Sequence, residues 1–282
     1  MDSFSRPACH LRSSSLPSKN HPLAASVEEQ LVRLRASGSL CQKLGGLKDL
    51  YERVDDLFQL PLIQQALSHE YQDKCVDDLL DGSLRLLDVY STTRDVFSQM
   101  KECIQELESS LRRKRTVESS LENEVKAYMT SRKRLNKVIS KCFGNLKRME
   151  KNATALPSEK KSDLTAAVSM LKEVEEISIV VLESLLSFVS PPKTRTRSTG
   201  WNAVTKLFQS GRVSCEDANE VEKMDAELIV LIGRKFSLVN MQNALKGLEA
   251  LESSIQEMEE ELECVYRRLL KSRVSLLNML NH

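Results

Sequence analysis

The sequence predicts an all-α fold: an elongated helical bundle with two long heptad-patterned helices behind a disordered N-terminal head. Three observations carry that prediction. The 282-residue chain holds only nine glycines and seven prolines, and prolines gather at Pro7, Pro17 and Pro22 and again at Pro191 and Pro192. Between those breaks, apolar residues recur at the three- and four-residue spacing of a helix face. Aromatic residues make up 5% of the chain, and the period-two alternation of a strand is lacking. With 41% apolar residues, a chain of this length can fill a core.

The elements follow in order. Residues 1 to 27 carry seven serines, three prolines and a single acid, Asp2, a composition that cannot bury enough apolar surface to order itself. Ser26 and Glu29 have the spacing of a capping box, and Leu23, Val27, Leu31 and Leu34 then share a face. Leu47, Leu50, Tyr51, Val54, Leu57 and Phe58 form a second amphipathic helix, which Pro61 interrupts. Two helical pieces are expected next, one through Leu62, Ile63, Ala66 and Leu67 and one through Val76 to Leu87, with Gly82 as a break.

The first long helix starts near Tyr90. Its a and d positions from Ile104 to Met149 are apolar at eleven of fourteen places, the exceptions being Lys114, Glu118 and Arg132. Those polar positions weaken a dimeric coiled coil and fit a seam packed on helices of the same chain. Pro157 ends the element, and Leu164, Ala167, Val168, Leu171, Val174 and Val181 mark the next one. After a break from Ser190 to Gly200, a second a/d register runs from Met241 to Met279 with Ser272 as its polar member. Antiparallel pairing with the first long helix is expected. The chain thus divides into a head (1–25), the first part of a bundle (26–189), a basic linker with a short helix (190–215) and C-terminal helices completing the bundle (216–282).

Charge is blocked along the chain although 41 bases nearly cancel 40 acids. Asp49 to Asp88 carries ten acids against three bases, and Lys101 to Lys151 fourteen bases against seven acids. Glu216 to Glu263 carries thirteen acids against four bases, and Lys193 to Arg212 five bases and no acid. Opposite blocks on neighbouring helices attract, which predicts alignment within the bundle; an external acidic partner, such as a phospholipid surface, is the alternative. Neither the overall balance nor the motifs favour nucleic acid.

Seven scattered cysteines, with no C-x-x-C pair, point to a reducing, cytoplasmic setting and to thiols used as small core residues. The most apolar run, Ile177 to Val189, is shorter than the roughly 20 residues of a membrane span and reads as a buried helix. The N-terminus lacks the apolar block of a secretory signal.

Four motifs bear on function. "LRRKRT" sets Arg112, Arg113, Lys114 and Arg115 in one basic cluster, readable as a solvated helix face, a membrane-facing patch or a nuclear-import signal. "DDLLD", Asp77 to Asp81, matches the magnesium motif of prenyl-diphosphate enzymes, because acids at i and i+4 share a helix face. Such enzymes combine it with a second, facing acidic motif and with bases for the diphosphate, a combination that the sequence does not display, so a magnesium-dependent prenyl transferase is the remote alternative. "RSSSLP" at the head fits R-S-x-S-x-P: with Ser15 phosphorylated, Arg12, Ser13 and Pro17 complete a peptide for a 14-3-3 protein. The same serine-rich, acid-poor head also resembles a plastid transit peptide. Thr196, Ser198 and Thr199 in "KTRTRSTGW" are further phosphorylation candidates. No P-loop, nucleophile-elbow or zinc-protease pattern occurs, so no catalytic residue, cofactor or metal ligand is assigned and a non-enzymatic protein is expected.

Taken together, "RSSSLPSKNHPL", "DLLDGSLRLLDVYSTTRDVFSQMK", "SSLRRKR" and the closing "RVSLLNMLNH" resemble a plant family of unknown biochemical function related to the BYPASS proteins. The resemblance covers essentially the whole chain. It implies a plant source, an all-helical fold and a role in root and shoot development, and it carries over no active site.

Overall fold

The imidazole of His21 opens the first helix: its Nδ1 accepts from the Leu23 amide at 3.2 Å, and Pro22 follows at the first helical position, where a missing N–H costs nothing. The computed structural model describes residues 21–61, 63–65, 74–113, 118–153, 163–190, 220–233 and 238–280. Among these, the long helices are α1 (Pro22–Ala36), α2 (Leu40–Phe58), α3 (Lys74–Arg113), α4 (Glu118–Ala153), α5 (Asp163–Val189), α6 (Glu220–Gly233) and α7 (Leu238–Leu280). No described residue lies in a strand. The fold is all-α, as the sequence predicts.

Two helices set the long axis. At 1.5 Å per residue, α3 and α7 each extend about 60 Å. They lie antiparallel, since Arg94 meets Glu263 at 2.6 Å while Arg112, farther along α3, meets Glu249 at 2.7 Å. On its other side α7 runs parallel to α2: Lys48 pairs with Glu261, Glu52 with Arg268 and Asp55 with Lys271. α1 folds back on α2, where Gln30 Nε2 donates to the Gly46 carbonyl at 2.9 Å. The apolar α5 runs through the middle, with Ile177, Ile179, Val181, Leu182, Leu185 and Leu186 all buried. There the Tyr51 hydroxyl donates to Ser178 Oγ at 2.8 Å, and Ser178 in turn donates to the Val174 carbonyl.

Three expectations need correction. Ser26 does not cap α1; it sits inside the helix and its hydroxyl accepts from the Arg53 guanidinium. The helix begins earlier, inside the residues assigned to the head, because His21 and Pro22 already supply a start. A capping box does exist, at Ser39 and Gln42, where it opens α2. Second, Gly82 does not break a helix, for α3 passes through it. A Cβ at that position would lie 2.6 Å from Glu175 Oε1, so the glycine leaves room for the carboxyl that reaches over it from α5.

Third, the register from Ile104 to Met149 belongs to two helices. Arg132 Nη1 lies 3.7 Å from Met100 Sδ, so α4 returns antiparallel along α3. The apolar a and d residues on either side are buried, but the polar pair Lys114 and Glu118 falls where α3 stops at Arg113 and α4 starts at Glu118. A run of four bases cannot enter an apolar seam without partners, and the chain turns there. Antiparallel pairing with the last helix therefore holds for α3, while α4 packs on α3, α5 and α6.

Candidate functional site

The outward face of α4 is set apart by its charge. From Val125 to Met149 the helix holds eight bases and no acid. Arg132 alone of these is buried; Lys126, Lys133, Arg134, Lys137, Lys141, Lys147 and Arg148 are exposed. At about 100° per residue the exposed bases span an arc of roughly 140°, opposite the buried line through Val125, Arg132, Ile139 and Leu146. From Lys126 to Arg148 the stripe is about 33 Å long. Lys126 pairs with Glu122 at 2.6 Å, whereas Lys133, Arg134, Lys137, Lys141 and Arg148 make no ion pair among the described residues.

The bases of α3 behave differently. Arg94 pairs with Glu263 and stacks 4.8 Å from the Tyr266 ring centre, Lys101 pairs with Glu259 and bonds Gln256 at 2.8 Å, and Arg112 reaches Glu108 and Glu249. The acidic block of α7 is thus matched to α3, as charge alignment within the bundle predicts. Burial is the first cause that raises the Glu108 pKa, and the charges of Glu252 and Glu249 add to it against Arg112.

Arg132 fixes α4 in place. Its side chain is 3% exposed and donates from Nε (3.2 Å) and Nη2 (3.1 Å) to Asp225 Oδ2 on α6, while Nη1 donates to the Val189 carbonyl at 2.6 Å. That carbonyl ends α5, where the helix dipole favours a cation. The Tyr128 hydroxyl donates to Asp225 Oδ1 at 2.9 Å, and burial, reinforced by the Asp225 charge, holds the phenol protonated far above its ordinary pKa. An arginine fork can join three helices in this way because its donors lie in one plane.

A second polar group lies inside the bundle. A cavity of about 60 Å³ between α2, α3, α5 and α7 has apolar walls that include Phe58, Leu86 and Leu276, and Glu175, Ser272 and Arg273 also line it. Burial pushes the Glu175 carboxyl up to about 7, against the lowering influence of Lys172 and Arg85. The Arg273 guanidinium is engaged by the Leu80 carbonyl and by Ser83 Oγ at 2.6 Å. Nothing here supplies a nucleophile and base in contact.

Of the residues singled out from sequence, Arg112 and Arg113 are described, at the end of α3. Arg112 is tied to acids, and Arg113 reaches Ser110 Oγ at 3.3 Å. Lys114, Arg115, Arg12, Ser13, Ser15, Pro17, Thr196, Ser198 and Thr199 lie outside the described residues. The basic surface therefore extends along α4 rather than centring on the described part of the "LRRKRT" cluster. Asp77, Asp78 and Asp81 are exposed on α3, with Asp81 3.8 Å from Arg85. Among the described residues no group of three acids, histidines or cysteines could hold a metal ion, and no helix is long and apolar enough to cross a membrane.

A family model described as Protein BPS1 matches residues 43–279 of the chain, a span that begins within α2 and ends one residue before the end of α7. No curated protein and no solved structure matches.

Proposed function

The chain belongs to the BPS1 family, a plant BYPASS family of developmental regulators, and from that premise we propose that it is a non-enzymatic interaction protein acting in root and shoot development. One observation supports this reading above others: Arg94, Lys101 and Arg112 of α3 are matched to acids of the same chain, whereas Lys133, Arg134, Lys137, Lys141 and Arg148 of α4 face outward with no ion pair among the described residues. A charged face of this kind recognises other surfaces and has no reacting group to offer. In the proposed mechanism the helical body presents this face in a cytoplasmic setting, and the N-terminal head controls binding.

The head contributes through "RSSSLP". Phosphorylated Ser15, preceded by Arg12 and Ser13 and followed by Pro17, has the chemistry of a 14-3-3 ligand: an arginine cluster takes the phosphate and the proline turns the peptide out of the groove. Thr196, Ser198 and Thr199 offer a second phosphorylatable stretch. The test is affinity capture of the full chain from plant tissue, with phosphate mapping by mass spectrometry, beside a Ser15→Ala variant. Recovery of 14-3-3 proteins by the intact chain and their loss with Ser15→Ala is the expected result. Identical capture by both forms, with Ser15 unmodified or the head removed, overturns the control mechanism.

A further inference from the structure

We propose that the basic face of α4 docks the protein on an anionic phospholipid surface. The assignment rests on the interaction reading above and names the partner of that face. Clusters of four to eight lysines and arginines on one side of an amphipathic helix are attracted to acidic lipid headgroups, each base adding to the attraction. The α4 face meets that description through seven exposed bases on the side opposite the core, in a stripe about 33 Å long.

The rest of the face selects among acidic partners. Both aromatic residues of α4 in this stretch, Tyr128 and Phe143, are buried, so it offers no ring on which a single-stranded base could stack. None of the large exposed apolar residues lies on α4, so a protein partner would find no anchor of the kind that dominates protein interfaces. Thr130, Ser140 and Gly144 occupy the spaces between the bases. A broad band of cations with small polar residues between them suits a delocalised sheet of negative charge. With no large apolar side chain exposed on this face, the attachment is electrostatic, reversible and sensitive to salt.

The mount keeps the row turned outward. Arg132, the one inward base of the segment, is held by Asp225 and the Val189 carbonyl, and this fixes the rotation of α4 about its axis. The exposed bases can therefore reach a membrane together without unfolding or tilting out of the bundle.

The experiment is sedimentation of the purified full chain with vesicles of phosphatidylcholine alone and of phosphatidylcholine with phosphatidylserine, at low and physiological salt. A stripe variant, Lys133→Gln/Lys137→Gln/Lys141→Gln/Arg148→Gln, is compared with a charge-matched control, Arg33→Gln/Lys223→Gln/Lys246→Gln/Arg267→Gln, after circular dichroism has established equal helicity. Expected is binding to the phosphatidylserine vesicles only, weakened by salt, with partitioning reduced by at least about tenfold in the stripe variant and little changed in the control. Absent vesicle binding, or equal loss in the two variants, overturns the proposal. So does stripe-dependent binding of duplex DNA or polyglutamate without vesicle binding. Such a failure beside Ser15-dependent capture of 14-3-3 proteins removes the membrane and leaves the interaction reading standing; loss of that capture with vesicle binding intact does the reverse.

Discussion

Arg132 on α4 and Asp225 on α6 are joined by two hydrogen bonds to a single carboxylate oxygen, 3.2 Å from Nε and 3.1 Å from Nη2. The arginine is almost wholly buried, so either residue left alone keeps a charge that water cannot reach freely. Arg132→Ala is expected to lower stability by about 3 kcal/mol, the lower range for breaking a buried pair, measured by urea unfolding. Arg132→Lys should recover less than half of that loss, because an ammonium cannot bond Asp225 and the Val189 carbonyl with the same fork. A loss below about 0.5 kcal/mol for the alanine variant contradicts the clamp.

Stability should fall as pH rises from 4.5 to about 7 wherever Glu175 dominates. In that window the folded carboxyl keeps its proton while the unfolded one has released it, so the contribution is fully present below 4.5 and is lost as pH passes through the folded value. Glu175→Gln removes this dependence. At pH near 8 the variant is expected to be more stable than the parent by about 1–2 kcal/mol. Urea midpoints at acid and alkaline pH check it, and parallel profiles for the two proteins count against it.

Gly82→Ala tests the same contact from the other helix. Alanine improves the helix interior by about 1 kcal/mol, but its Cβ forces the Glu175 carboxyl, the far end of a flexible side chain, out of its place. The two effects oppose, and net stability should stay within about 1 kcal/mol of the parent. The displaced carboxyl gains water, so its titration, followed by carbon NMR, should move down. An unmoved titration means that the carboxyl is not displaced.

Charge removal should separate α3 from α4. Lys101→Gln loses the Glu259 ion pair and its bond to Gln256, at a cost of about 0.5–1 kcal/mol. Lys133→Gln/Lys137→Gln/Lys141→Gln removes groups that repel one another and have no ion pair among the described residues. Thermal unfolding should therefore stay level or shift upward. Destabilisation of the α4 variant by more than Lys101→Gln would reverse this ranking and show that those bases are already paired.

Helix class was legible because it depends on spacing. The apolar positions of α2, α5 and α7 announce their buried faces one by one, and Ser272 proves to be a buried member of the α7 seam. The turn between α3 and α4 was harder to read, since Lys114 and Glu118 occupy seam positions in a register that continues unbroken on both sides; polarity marked the place without stating that the chain reverses. Arg132 interrupted the same register for the opposite reason, being buried with a partner 93 residues away. Sequence spacing cannot distinguish a base that ends a seam from one that is clamped inside it. Glu175 left no signal at all, because its raised pKa arises from walls contributed by four helices. The basic character of α4 was visible as a block, but its confinement to one side appears only when the block is placed on a helix whose buried face is known.

The parallel pairing of α2 with α7 bears on how the chain is made. Ser275 Oγ donates to Asp55 Oδ1 at 2.9 Å across 220 residues, so α2 is translated well ahead of the helix with which it pairs. The α1–α2 hairpin must wait, with the side that α7 covers still open, until α7 itself has been made. Closure of the bundle therefore waits on a pairing of long sequence separation, and the partly assembled intermediate is exposed to aggregation meanwhile. Premature termination before α7 would strand that intermediate rather than yield a smaller folded protein.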